Sequence, residues 1–403
     1  MNILLINPTF WPVAGGAESI MRQQAEWLSA IEGISVRVLT GVGGIRNKHY
    51  ELRVIDELNP DYPLNLKVKN AIDHGQTDNH YQEFTALIDT LLEPHYQWAN
   101  VVITHGPVTT HFNLSLTKSI WDRAAHTPTI VWAHDFTPSN KSYSLPNPDH
   151  IPWSMMKTCH PKMTYVAVSE QRQKEMASTF GIETSQIHIS SPTPDWMDHL
   201  GLSPELLETL TDWNIFQRQL ILYYPTRMLQ RKSIDFALMA TAEVRKADID
   251  ALLVYTGPED PYHSTGIQYR EYLDFLPKQL GIEQHVVRLS NVAVDPHHAW
   301  RAFFRLADVL LNPTQYEGFG LLPIEAAFHR IPCWGSETPS THEQQFFHQT
   351  TLKSPQDAVG LAEKLLDDPL YISRKNHLLR YHPWRVVRES WLPILKSAQD
   401  KFV

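Results

Sequence analysis

The chain has 403 residues, 42% hydrophobic and 20% charged, enough to fill two α/β domains of roughly 200 residues each and too apolar for disorder. Its 35 basic and 44 acidic residues leave a net charge of −9, which gives no overall attraction for nucleic acid or an anionic membrane. The two cysteines, Cys159 and Cys333, stand far apart and outside any C-x-x-C, which excludes a disulfide framework and a structural zinc site and points to a reducing cytoplasm.

The opening MNILLINPTF lacks a basic leader and its apolar run stops at Pro8, so it reads as a first strand, not a signal peptide. No stretch approaches the roughly 20 apolar residues of a membrane span. Ile3 to Ile6 suits a parallel strand buried on both faces. A turn, NPTFWPVAGGAES, leads into a helix with Ile20, Met21, Ala25, Trp27 and Leu28 on one stripe, and Val36 to Leu39 forms the next strand. Strand, glycine turn, helix and strand make a βαβ unit. Gly43 to Thr77 is polar and shows no readable period. Further strands are predicted at Val101–Thr104, Thr129–Ala133 and Thr164–Ser169, and the Pro- and Ser-rich Ser190–Pro194 closes a first domain.

Pro204–Asn214 reads as a helix, and strands follow at Leu220–Pro225, Ala251–Gly257, Val286–Ser290 and Ala307–Pro313. Strands alternating with helices in both halves predict two doubly wound parallel sheets. Near the end, Trp384, Val387, Trp391, Ile394 and Leu395 have approximate helical spacing, as for a helix docked by its apolar face. No repeat of solenoid period and no low-complexity tract interrupts this pattern.

The densest chemical signal is ADVLLNPTQYEGFGLLPIEAAFHRIPCWGS. A strand ends at Asn312 and Pro313, a loop carries Glu317, Gly318, Phe319 and Gly320, and Pro323 fits the first turn of a helix that also holds Glu325. Free amides at a glycine-entered helix start suit a diphosphate, and a carboxylate such as Glu325 can accept from two vicinal ribose hydroxyls. Glu317 can reach the hydroxyls of a different ring. In TRMLQRKS, Arg227 and Lys232 lie beyond a strand end, where open α/β sheets bind ligands, with Arg231 as the alternative to Lys232.

This segment resembles the donor site of the retaining glycosyltransferases of family 4, which have the GT-B fold of two Rossmann-like domains facing across a cleft. The resemblance runs in motif order along nearly the whole chain, most specifically over residues 220–345. It implies that Glu317 touches the donor sugar, that Glu325 binds the ribose, and that amides near Phe319, Gly320 and Leu321 face sugar or diphosphate. An Arg and a Lys follow a strand at the same place in the family, which gives Arg227 and Lys232 the leaving diphosphate; Thr226 replaces the family's usual glycine. Gly257 is counted among the donor-binding residues.

Gly15, Gly16, Ala17 and Glu18 match the family's glycine-rich turn, whose amides approach diphosphate or acceptor. G-x-G-x-x-G is absent there, which argues against a nicotinamide site. A His at a strand end like that of His134 contacts the donor sugar's primary hydroxyl in the family, with Asp135 placed to orient it. Ser169 suits a helix N-cap. The family's Asn-Gly-Val-Asp signature is SSPTPD here (Ser190 to Asp195), so no acceptor contact carries over from that loop.

The implied domains are 1–195 for the acceptor and 196–383 for the donor, with the last helix, 384–403, crossing back onto the first. The implied reaction moves a hexose from a nucleotide diphosphate sugar to an acceptor hydroxyl with retention, by a same-face mechanism with no metal and no cofactor beyond the donor itself. The acceptor is a sugar, small molecule or lipid. The basic residues Arg374, Lys375, Arg380, Arg385 and Arg388 read as a solvated face before a membrane-docking one. Adjacent His297 and His298 do not make a metal motif, and no G-x-x-x-x-G-K-[ST] or G-x-S-x-G is present. The rival readings are a nucleotide-sugar 2-epimerase on the same fold, which needs no acceptor, and a non-catalytic partner subunit, against which Arg227, Lys232, Glu317 and Glu325 all argue.

Overall fold

The apolar run after Met1 becomes a strand, β1 (Asn2–Ile6), buried from Ile3 onward. Its successive side chains enter opposite layers: Ile3 and Leu5 pack on one face of the sheet, Leu4 and Ile6 on the other. Continuous rather than alternating hydrophobicity is what a strand covered on both faces requires. The strands β2 (Ser35–Thr40), β3 (Glu51–Val54), β4 (Val101–Thr104), β5 (Thr129–Ala133), β6 (Met163–Ala167) and β7 (His188–Ile189) follow. All pair in parallel, in the order β3-β2-β1-β4-β5-β6-β7. A computed structural model supplies this description for residues 1–44, 47–143, 145–193, 199–257, 266–291, 296–338, 349–372 and 386–402.

One face of this sheet is covered by the helices Pro63–Asp73, Asn79–Trp98 and Leu114–Arg123, through residues such as Val68, Phe84, Ile88 and Ile120. The other receives the helix Gly16–Ser29, which buries Ile20, Met21, Ala25, Trp27 and Leu28. It also receives the end of the chain. A single π turn, Val386–Trp391, runs into the helix Leu392–Asp400, and Val387, Trp391, Ile394, Leu395 and Ala398 are buried against Ile103, Ile130, Trp132 and Val166. The rings of Trp391 and Trp132 meet edge to face at 4.6 Å.

The second sheet comprises β8 (Leu220–Tyr224), β9 (Ala251–Tyr255), β10 (Val286–Arg288), β11 (Val309–Asn312), β12 (Cys333–Gly335) and β13 (Gln349–Thr351), again all parallel. Its order is β10-β9-β8-β11-β12-β13. Counted from its first strand, the second sheet runs 3-2-1-4-5-6, the doubly wound Rossmann order, and the first runs the same with a seventh strand added at the end. Asp308 ties the two central strands together at their start: its Oδ2 accepts from the Ile221 amide at 2.7 Å and its amide donates to Ile221 O at 2.9 Å. The chain divides into two compact units, Met1–Pro194 with Tyr381–Val403, and Asp195–Arg380.

Gly43 to Thr77 contains edge strand β3 and the helix Pro63–Asp73. That helix buries only Asn65, Val68 and Ile72, too few apolar positions for a helical period to show. The predicted strands of the second half end one or two residues early, because the chain leaves the sheet at its C-terminal edge. Thr226 and Thr256 there hold each other by side chain and backbone, with Thr226 N donating to Thr256 Oγ1 and Thr256 Oγ1 to Thr226 O, both at 2.7 Å. The segment after β6 likewise turns into a helix, Glu170–Phe180, capped by Ser169 Oγ, which accepts from the Arg172 amide. Among the described residues no helix is long and apolar enough to cross a membrane.

Candidate active site

In a doubly wound sheet the connections on either side of the first strand leave in opposite directions, and the crevice beyond the strand ends at that point receives the ligand. In the second unit this point lies between β8 and β11. The loop after β8 carries Arg227, Arg231 and Lys232, and the loop after β11 carries Glu317, Gly318, Phe319 and Gly320. The structure ties the two together. Gln315 N donates to Arg231 O at 2.8 Å, Arg231 Nη1 to Tyr316 O at 3.1 Å, and Thr314 Oγ1 to Arg231 O at 3.3 Å.

Lys232 and Glu317 form an ion pair across the two loops, with side chains 14% and 20% exposed. This separates the two cations that the sequence left open. Arg231 spends its guanidinium on the Tyr316 carbonyl, whereas Lys232 meets the carboxylate. Lys232 is held from behind as well. Tyr224 Oη donates to its carbonyl at 2.6 Å, and Ser233 follows in the left-handed region at φ 50°, a conformation costly for a residue with a side chain. Arg227 is exposed and has no side-chain partner among the described residues.

Gly320, at φ 83°, turns the chain into the helix Leu322–His329, whose first turn has no side-chain cap and includes Pro323. The opening amides therefore point out of the helix without intrahelical acceptors. Phe319 and Leu321 on this loop are exposed. Glu325 sits one turn in, half-buried, and among the described residues no donor reaches its carboxylate. Burial raises its pKa above the ordinary carboxyl value. Gly257, beyond β9, lies at φ 60°, and a Cβ there would press on Tyr255 and Arg288 at 2.8 and 2.9 Å.

The raised Glu325 pKa has a sign for stability. The folded protein holds a proton that the unfolded chain has released, so this group's contribution falls as pH rises from the ordinary carboxylate range through the raised value. Glu325→Gln is expected to raise the melting temperature at neutral pH, and to change it little at a pH where both states are protonated. Melting curves at the two pH values check this. An unchanged or lowered melting temperature at neutral pH would show that the carboxylate has a compensating partner.

The corresponding point of the first unit lies between β1 and β4. Gly15 and Gly16 open the helix that follows β1, with Gly15 in ordinary extended backbone. The Glu18 carboxylate lies against Gly15 and accepts from Thr9 Oγ1, and a Cβ at Gly15 would displace it. His134 follows β5. Its imidazole is oriented by His105, at the end of neighbouring β4, with His105 Nδ1 and His134 Nε2 3.0 Å apart. Asp135 is engaged elsewhere: it accepts from the Phe136 amide at 2.8 Å and faces Arg172 at 3.7 Å. The structure thus joins Lys232 to Glu317 within one unit and His134 to His105 within the other.

His105 was available to sequence reasoning. VVIT and TIVWA are both followed at once by a histidine, and the parallel register sets His105 level with Trp132, two residues before His134 and on the same side of the sheet. Its second partner, Gln24, lies on the helix after β1, a long-range contact that no local pattern signals. Ser190 begins the loop that departs from the family signature, and its carbonyl accepts from Trp132 Nε1 at 3.1 Å. His297, His298 and the basic cluster from Arg374 to Arg388 lie outside the described side chains. Among the described residues no group of three or more His, Cys, Asp and Glu side chains could hold a metal ion.

Residues 208–376 match the family model for glycosyl transferases group 1. The chain is 24% identical to the mannosylglucosylglycerate synthase of Petrotoga mobilis, over 51% of this chain and 51% of that protein. It is 25% identical to an uncharacterized glycosyltransferase of Methanocaldococcus jannaschii, over 40% of this chain and 39% of that one. The chain therefore spans about half the length, or less, of the curated relatives it matches. Among solved structures, the sucrose-phosphate synthase of Thermosynechococcus elongatus is 19% identical, covering 99% of this chain and 97% of its own at a TM-score of 0.35, too low to add to the architecture read from the sheets. Arg227, Lys232, Gly257, Glu317, Phe319, Gly320, Leu321 and Glu325 all fall within the segment that matches the glycosyl transferases group 1 model.

Proposed function

We propose that the protein transfers a hexose from a nucleotide diphosphate sugar to an acceptor hydroxyl, retaining the anomeric configuration and using no divalent metal. The observation that carries this reading is the switch point of the second sheet, where the Lys232–Glu317 pair stands near a helix start bearing Glu325, whose carboxylate meets no donor among the described residues. Arg227, Lys232 and the amides of Phe319, Gly320 and Leu321 take up the charge of the departing diphosphate. Glu325 accepts from the ribose hydroxyls, Glu317 from the hydroxyls of the sugar, and the left-handed turn at Gly257 lets backbone approach the nucleotide.

In the same proposal the second unit holds the donor and the first the acceptor. His134 meets a sugar hydroxyl, and Gly15 and Gly16 offer amides beside a carboxylate, Glu18, that can accept from another. The bond from the anomeric carbon to phosphate breaks, the bond to the acceptor oxygen forms on the same face, and the acceptor proton passes to a phosphate oxygen of the leaving group. Every atom and charge is then accounted for without a protein nucleophile. A cytoplasmic location accords with the two unpaired cysteines.

A thermal-shift screen of UDP-, GDP- and ADP-hexoses tests the reading, followed by NMR of the product formed with candidate acceptors. Stabilisation by one nucleotide series and a product with the donor's anomeric configuration are expected, in chelator as in its absence. Glu325→Ala should weaken the nucleoside diphosphate by about 1.5–3 kcal/mol, the value of a hydrogen bond to a charged group. An inverted product, or activity lost in chelator and restored by magnesium or manganese, would refute the mechanism. A donor epimerised without acceptor would establish the isomerase instead.

A further inference from the structure

The ends of β4 and β5 carry two stacked histidines whose role is set by a third residue. His105 Nε2 lies 2.7 Å from Gln24 Oε1, and His105 Nδ1 lies 3.0 Å from His134 Nε2. The two ring planes are 13° apart, and Trp132 packs against both, at 5.3 and 4.8 Å. Gln24 is 1% exposed and His105 2% exposed. Each hydrogen bond needs one proton and one lone pair. An amide oxygen only accepts, so His105 Nε2 carries the proton shared with Gln24. In a neutral ring His105 Nδ1 is then bare and accepts from His134 Nε2–H. His134 is left with a bare Nδ1, which meets no partner among the described residues.

We propose that Gln24 and His105 are positioning residues that fix His134 as its Nε2–H tautomer, leaving its Nδ1 lone pair to accept a hydrogen bond from a substrate hydroxyl. The inference rests on the reading of His134 as a substrate contact. Burial keeps both rings neutral: it pushes His105 well below the usual histidine value, helped by His134 beside it, and lowers His134 to about 4. The acceptor function is thereby preserved through the physiological range. The relay also explains why a polar glutamine occupies the buried face of the helix Gly16–Ser29, where an apolar residue would otherwise pack.

Ring ¹⁵N-labelled histidine in the full chain, with His134 assigned by its loss in His134→Gln, reports the tautomer directly at neutral pH. The wild-type signal is expected to be that of Nε2–H. In Gln24→Leu, His134 should shift to mixed tautomers and turnover of the UDP-, GDP- or ADP-hexose found in the screen should fall about tenfold, the size of one lost hydrogen bond. Affinity for the nucleoside diphosphate should hold. Gln24→Glu, which keeps an acceptor at the same place, should restore both tautomer and rate.

A wild-type His134 in the Nδ1–H form would overturn the proposal without any variant, since it would mean that the chain of hydrogen bonds runs the other way. So would an unchanged tautomer in both Gln24→Leu and His105→Phe, or full turnover in a variant whose tautomer is lost. A protein that shows the expected tautomers but turns over no nucleotide sugar supports the relay while refuting the transferase reading.

Discussion

On the proposed function, Arg227→Ala and Lys232→Ala are each expected to lower turnover on the order of 100-fold, the usual effect of removing one preorganised charge from a developing anion. The two should differ in how they affect the fold. Arg227 is exposed with no side-chain partner among the described residues, so its alanine variant should melt with the wild type. Lys232 is ion-paired to a Glu317 that is 20% exposed, so its removal takes a partner from a largely covered carboxylate and should lower the melting temperature as well. Steady-state rates at saturating donor, with a melting curve for each variant, separate the two effects. Wild-type turnover in both variants would mean that the diphosphate is held elsewhere.

Trp391→Ala destabilises the first unit by about 3–5 kcal/mol, the range for truncating a buried tryptophan. The side chain is 0% exposed and packs on Trp132, whose ring in turn supports His105 and His134. Its indole Nε1 has no partner among the described residues, so the loss is one of packing rather than of a hydrogen bond. Trp391→Phe should therefore cost much less than Trp391→Ala, since it retains most of the apolar volume and removes a buried polar N–H. Denaturant unfolding of the two variants decides. Equal losses, or no loss in either, would show that the terminal segment contributes little to the stability of the sheet it covers.

The C-terminal segment illustrates what sequence can convey. Val387, Trp391, Ile394 and Leu395, singled out by their spacing, are buried, because amphipathicity is a property of the segment alone, while Trp384 lies outside the described residues. The face the segment covers follows from chain topology. The helix Gly16–Ser29 covers only part of that side of the sheet, and Val387, Trp391 and Ile394 fill more of it.

The sequence by itself determined the two-sheet class and the central strands, since residues buried on both faces of a parallel sheet must be apolar without interruption, as in NILLI, TIVWA and LILYY. It also placed Gly320, Pro323 and Glu325 at a helix start and the cations beyond a strand end, because glycine, proline and strand-end positions follow local geometry. Edge strand β3 and the helix Pro63–Asp73 left no such trace, being half-exposed and bound by no regular period. Only the tertiary structure decided that Lys232 rather than Arg231 faces Glu317, and that His105 and Gln24 rather than Asp135 orient His134. Those pairings join residues 85, 29 and 81 positions apart in the chain, so they are fixed by which strands lie side by side and not by any spacing along the sequence.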